Sequence, residues 1–176
     1  MSTMRQATLS FVVAPTLAVL ILAGCSGDQL TGTSSVAAAR SVKVDAGKPF
    51  KADCELYATI TGFTATGFTQ TVTGECQVSH LGRSTFYGLD VVDFSTGTYE
   101  MHGVITAANG DEVHATITGN ATLTPTGATL AGSAEFTGGT GRFANASGNA
   151  AQSAVVTSTG PLTASASYQL DGRLLY

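Results

Sequence analysis

Ala52-Asp53-Cys54-Glu55-Leu56-Tyr57-Ala58-Thr59-Ile60-Thr61 alternates without a break: Ala52, Cys54, Leu56, Ala58 and Ile60 fall on one face, and Asp53, Glu55, Tyr57 and Thr59 on the other. A period of two is that of an extended strand with one face buried and one in water, as in an antiparallel sheet. The same period runs from Leu162 to Tyr176, where Leu162, Ala164, Ala166, Tyr168, Leu170, Leu174 and Tyr176 oppose Thr163, Ser165, Ser167, Gln169 and Asp171. Between these stretches Thr-Gly pairs recur, from Thr61-Gly62 and Thr73-Gly74 through Thr96-Gly97, Thr118-Gly119 and Thr137-Gly138 to Thr159-Gly160. Thr favours strands and Gly interrupts them, so the punctuation reads as successive hairpins, and no useful length of chain carries a helical apolar stripe. Residues 41–176 divide into about eight such strands, which predicts an all-β domain closed as a small antiparallel barrel. A two-sheet sandwich is the alternative. Closure removes exposed edges, which matters in a chain with only 11% charged residues to guard them.

The turn at Ala108-Asn109-Gly110-Asp111 tests register. A two-residue Asn-Gly loop pairs Ile105 with His114 and mixes polar and apolar side chains on one face. A three-residue loop over Ala108 to Gly110, with Gly110 left-handed, pairs Ile105 with Val113 and Met101 with Ile117. Tyr99, Met101, Ile105, Val113, Ala115 and Ile117 then share a face, and register follows the buried face. A hairpin centred near Ala65 likewise sets Cys54 opposite Cys76, Leu56 opposite Gly74 and Ala58 opposite Val72. Directly opposed cysteines lie within disulfide reach, so a Cys54–Cys76 bridge is expected, with buried free thiols or a catalytic nucleophile as the alternatives. The same register opposes Glu55 to Glu75, a like-charge pair.

Composition narrows the function. Hydrophobic residues make up 43% of the 176, which argues against intrinsic disorder. The net charge of −4 lacks the basic excess of a nucleic-acid binder, and no nucleic-acid partner is expected. Residues 1–24 read as a targeting segment. Arg5 is its only charge, and the 15-residue run Leu9–Ala23 (LSFVVAPTLAVLILA) is short of the roughly 20 residues that span a bilayer as a helix. The run ends in Leu22-Ala23-Gly24-Cys25, which resembles the lipobox of bacterial lipoproteins. That resemblance implies cleavage before Cys25, acylation of Cys25 and a membrane partner through the acyl chains, with several chains needed for stable anchoring. An ordinary secretory peptide is the alternative, although its small-residue cleavage candidate, Ala37-Ala38-Ala39, lies far beyond the apolar run. Residues 25–40 then form the lipidated cysteine and a small, polar tether to the domain. The expected location is the cell envelope, facing the periplasm or cell surface. Ser26, in place of the Asp that favours inner-membrane retention, points to the outer membrane in a Gram-negative cell.

Three histidines complete the titratable inventory of interest. His102 and His114 fall diagonally on the wet face of their hairpin beside Glu100, a solvated arrangement without metal-ligand spacing. His80 extends the stripe of Cys76 and Val78, which directs it into the barrel. Gly139-Thr140-Gly141-Arg142-Phe143-Ala144 matches the dinucleotide fingerprint by letter only. The residues that follow (Asn145, Ser147, Gly148, Asn149) oppose a helix, and no βαβ unit surrounds it. The glycines read as a tight turn between strands.

The longer segment Gly138-Gly139-Thr140-Gly141-Arg142-Phe143-Ala144-Asn145-Ala146-Ser147-Gly148, preceded by Glu135-Phe136-Thr137, resembles the GGTGRFxxAxG segment of allene oxide cyclase-like and dirigent-like barrels. Exported bacterial proteins with this segment look similar at His80-Leu81-Gly82-Arg83, at Ala107 to Asp111 and from Tyr168 to Tyr176. The resemblance covers about residues 50–176 and implies an eight-stranded, calycin-like barrel with a central apolar cavity. It carries no catalytic residue over, and no cofactor, metal or catalytic set is expected. The functional expectation is a non-enzymatic barrel that binds a small apolar ligand, with His80 and Arg142 as candidate pocket residues. The alternatives are a cofactor-free isomerase or cyclase, for which Glu75 joins those two as an interior ionisable candidate, and a structural lipoprotein whose barrel is filled by side chains.

Overall fold

The structure, a computed structural model, describes residues 46–176; the expected leader, the expected lipidation site at Cys25 and the expected tether lie outside the described residues. Eight strands follow one another: β1 (Lys48–Phe63), β2 (Gly67–Val78), β3 (Gly82–Asp93), β4 (Thr98–Ala107), β5 (Glu112–Thr124), β6 (Gly127–Gly139), β7 (Ser147–Gly160) and β8 (Thr163–Leu175). Each pairs antiparallel with its neighbour, and β1 pairs with β8 to close the barrel, so the sandwich alternative is excluded. Between β6 and β7 lies a single 3-10 turn, Gly141–Phe143, at the expected position of the glycine-rich turn.

Register follows the alternation closely. Cys54 opposes Cys76, Leu56 opposes Gly74 and Ala58 opposes Val72, with a bulge between Ile60 and Gly62 just before the turn. Ile105 opposes Val113 and Met101 opposes Ile117. Gly110 has φ +87°, the left-handed conformation that closes the three-residue loop, and its amide donates to the Ala107 carbonyl. The six side chains from Tyr99 to Ile117 assigned to one face are all buried. Glu55 does oppose Glu75, and Arg83 offsets the repulsion by bonding Glu75 at 2.7 Å on the exposed outer face. Leu162 departs from the expected alternation. It sits in the β7–β8 turn, 45% exposed, because β8 begins only at Thr163.

The two ends of the barrel are built differently. One end gathers the β2–β3, β4–β5 and β6–β7 connections and both ends of the described chain, and bulky side chains fill it. Phe50 stacks edge-on against Phe136 at 4.7 Å, Phe143 packs on Tyr176 at 4.6 Å, and Val113 and Leu174 are wholly buried between strands. Gly141 permits this plug. Its φ is +55°, and a Cβ there would fall 1.9 Å from Asp111 Oδ1, so the 3-10 turn that drives Phe143 inward needs glycine. The other end carries the β1–β2, β3–β4, β5–β6 and β7–β8 turns. There the inward positions hold small residues, among them Ala121, Ala128, Ser158 and Ala164, and the interior stays open.

Candidate functional site

The open end leads into a cavity of about 610 Å³, within the range of small-molecule sites. Ile60, Phe68, Val92, Leu130 and Val156 supply its apolar walls, and Phe94, Leu123 and Leu162 stand exposed at the mouth. Phe68 and Phe94 meet edge-on at 5.4 Å. The cavity follows from the period of two: every second residue points inward, and near the mouth too few of those residues are large.

Polar side chains gather at its inner end. Strand β3 alternates with Ser84, Phe86, Gly88, Asp90 and Val92 buried, so Asp90 is carried inward as strictly as its apolar neighbours. It lines the cavity and is only 6% exposed. Gln70, its partner across β2, donates Nε2–H to Asp90 Oδ2 at 2.7 Å. Burial pushes the Asp90 carboxyl up to about 6, because removing water disfavours the charged form; the hydrogen bonds from Gln70 and the Val91 backbone offset this only in part. Tyr99 also lines the cavity and donates its hydroxyl to Gln152 Oε1. Burial, with the nearby Asp90 charge, pushes the Tyr99 phenol up to about 12. Tyr168 is buried on β8, and burial followed by Tyr99 and Asp90 raises its phenol further. Asp90 Oδ1, Gln152 Nε2 and the Tyr168 hydroxyl are buried without a hydrogen-bond partner among the described residues. Of these three residues, Asp90 is the one that lines the cavity.

Asp90 was absent from the expected pocket set, and its signal was present in the sequence. In Phe86-Tyr87-Gly88-Leu89-Asp90-Val91-Val92 the parity that buries Phe86 and Val92 also buries the carboxylate. The residues that were expected in the pocket lie elsewhere. β2 ends at Val78, and His80 adopts φ +67° in the following turn, so the stripe of Cys76 and Val78 does not continue to it. His80 is exposed at the filled end, its Nε2 is 2.9 Å from the Pro49 carbonyl, and its ring faces Tyr176 at 6.0 Å. Arg142 lies beside it, outside the barrel. It donates Nη2–H to the His80 carbonyl, places Nε 3.7 Å from Asp111 Oδ2 and covers the Phe143 ring at 4.7 Å. Arg142 therefore ties three turns together at the filled end, and neither it nor His80 reaches the cavity. Glu75 points outward to Arg83. The outer-face histidines each contact the carboxylate two residues earlier on the same strand, His102 with Glu100 at 3.2 Å and His114 with Glu112 at 3.1 Å.

Cys54 and Cys76 form a disulfide, with Cα atoms 4.0 Å apart and both residues buried on the inner face. The bond closes the β1–β2 hairpin beside the filled half of the core and takes both thiols out of any nucleophilic role.

No protein-family model matches the sequence, and no curated protein matches it. Among solved structures, one of unknown function from Clostridium acetobutylicum is similar at 11% identity, covering 69% of this chain and 98% of that chain with a TM-score of 0.38. At those values it assigns neither a family nor an activity.

Proposed function

We propose that this protein is a cell-envelope binding module, tethered through a lipidated Cys25, whose barrel holds a small apolar ligand in its open half. The observation that carries the binding reading is the cavity of about 610 Å³, apolar along its walls and open at one end only. It argues against a barrel filled by side chains. The same walls explain what would be recognised: an elongated apolar body gains about 25 cal/mol for each Å² it removes from water, without directional contacts.

The test uses the neutral fluorophore N-phenyl-1-naphthylamine. Its emission is expected to rise on binding with one site per chain. Ala164→Trp, which places an indole in the cavity wall, is expected to abolish the rise while leaving the folded circular dichroism spectrum. A fluorophore response that persists in Ala164→Trp would place binding on the outer surface and remove the cavity from the proposal.

The envelope half of the reading rests on the leader and Leu22-Ala23-Gly24-Cys25. Expression with an alkyne-bearing palmitate is expected to label the protein, and Cys25→Ser to lose both the label and membrane fractionation. An unlabelled, soluble wild-type protein would reduce the leader to an ordinary secretory peptide.

A second reading, a cofactor-free isomerase or cyclase, draws on Asp90. A buried carboxyl titrating near 6 is suited to accept and return a proton at neutral pH, and Tyr99 lies within its electrostatic reach. That reading requires turnover of a bound compound, and the binding assay with product analysis separates the two.

A further inference from the structure

The inner end of the cavity defines what kind of apolar ligand it would take, an inference that rests on the binding reading above. We infer that the ligand is a lipophilic amine, whose protonated nitrogen sits against Asp90 while its apolar body fills the mouth.

Asp90 is a carboxylate without a compensating charge among the described residues. Asp90 is 6% exposed, and its one side-chain partner is the neutral amide of Gln70. The polar groups around it are also uncharged at neutral pH: Gln70 on β2, bonded to Asp90, Tyr99 on β4 and Tyr168 on β8, both within its electrostatic reach, and Gln152 on β7, bonded to Tyr99. Every Lys and Arg among the described residues (Lys48, Lys51, Arg83, Arg142 and Arg173) is exposed and lies toward the filled end. A buried carboxylate is ordinarily paired with a cation, and here the described residues supply none on the inner face. Asp90 Oδ1 is buried and lacks a hydrogen-bond partner among the described residues, and the residue that carries it lines the cavity.

The three simple head groups differ sharply at such a site. An ammonium brings both donors and the missing charge. A neutral hydroxyl brings one donor and leaves the charge uncompensated. A carboxylate would set two like charges together in a dry site, which is strongly disfavoured. The aromatic rings of Tyr99 and Phe68, both in the cavity wall, add faces that attract a cation but not an anion. The long-range field agrees. Among the described residues, Asp93 at the mouth and Glu100 on the outer face are the other charged side chains in the open half, and both are acidic.

The experiment displaces N-phenyl-1-naphthylamine from the full chain with n-decylamine, n-decanol and decanoate, three ligands of one length and different heads. At pH 7.5 decylamine is expected to compete at a concentration at least about tenfold below decanol, and decanoate to be the weakest. Between pH 7.5 and 5.0 the amine stays protonated while Asp90 takes up a proton, so its advantage is expected to shrink by about tenfold; decanol is expected to change little. In Asp90→Asn, which can keep the Gln70 contact, the amine and the alcohol are expected to compete at equal concentration. Equal competition by amine and alcohol in the wild type, tighter binding of decanoate, or an amine advantage that survives Asp90→Asn would each overturn the inference while leaving an apolar binding site. Failure of all three ligands to displace a bound fluorophore would also overturn it. Absence of any fluorophore binding would instead remove the binding reading itself. If Asp90→Asn does not fold, the pH comparison on the unsubstituted protein decides.

Discussion

Replacing Cys54 and Cys76 together by Ala is expected to lower stability by about 4 kcal/mol. Two contributions add. The bond joins residues 22 apart in sequence, and releasing that constraint from the unfolded chain is worth about 3 kcal/mol on the loop-entropy account. Both cysteines are also buried, at 5% and 3% exposure, so the alanines leave a small void in the core. A loss of that size is a large fraction of the stability of a single domain and is expected to lower Tm by roughly 15 °C. Thermal unfolding with and without reductant checks it. The wild type under reductant should fall most of the way to the double variant, because its thiols still fill the space. An unchanged Tm on reduction would mean that the bridge adds nothing to a register already set by the strands.

That register was legible in the sequence for a simple reason. Cys54, Leu56 and Ala58 on one strand and Cys76, Gly74 and Val72 on the other have one mutual pairing that buries both sets. The β4–β5 hairpin was legible for the same reason, with Gly110 available to take the left-handed position its loop requires. His80 was misplaced because periodicity holds only while the chain stays extended. The left-handed residue after Ser79 resets the direction of every side chain beyond it, and nothing in Val78-Ser79-His80-Leu81 announces that change. The cavity was illegible for a different reason. Its volume depends on which small residues on β5, β6, β7 and β8 reach the same height in the barrel, a sum over strands far apart in sequence. Asp90 stands between these cases: its inward direction could be read from the alternation of β3, but its lack of a charged partner needed the assembled barrel.

Asp90→Asn is expected to stabilise the protein at pH 7.5 by about 3 kcal/mol and to leave it nearly unchanged near pH 4. In the folded chain the carboxyl titrates at about 6, above the ordinary carboxylate value of 3.8. Between those two values the folded protein holds a proton that the unfolded chain has released. The stability contributed by this group is therefore fully present below about 4 and is lost as pH rises through 6. Asparagine neither gains nor loses that proton, and its amide oxygen can accept the Gln70 hydrogen bond. Urea unfolding of both proteins at pH 4 and pH 7.5 provides the check. The difference between them isolates Asp90, because other carboxyls such as Asp93, whose bonds to Ser95 lower its pKa, act equally in both. An Asp90→Asn protein less stable than wild type at pH 7.5 would mean that the carboxylate is compensated in the folded state. Saturating decylamine is expected to narrow the gap in the wild type's favour, since it binds the ionised folded form.

The two ends of the barrel separate two kinds of selection. Phe50, Phe136, Phe143 and Tyr176 pack where three connections and both ends of the described residues converge, and Arg142 binds those connections to one another. The four remaining turns contribute to the mouth and bond mainly to their neighbours around the rim, as Phe94 does to Thr66 and Ser158 to Thr126. Substitutions at Phe94, Leu123 or Leu162 can thus vary the shape of what enters while the residues that hold the barrel shut are left alone. Diversification of this scaffold is decoupled from its folding, and homologues are expected to accumulate differences at the rim faster than at the plug.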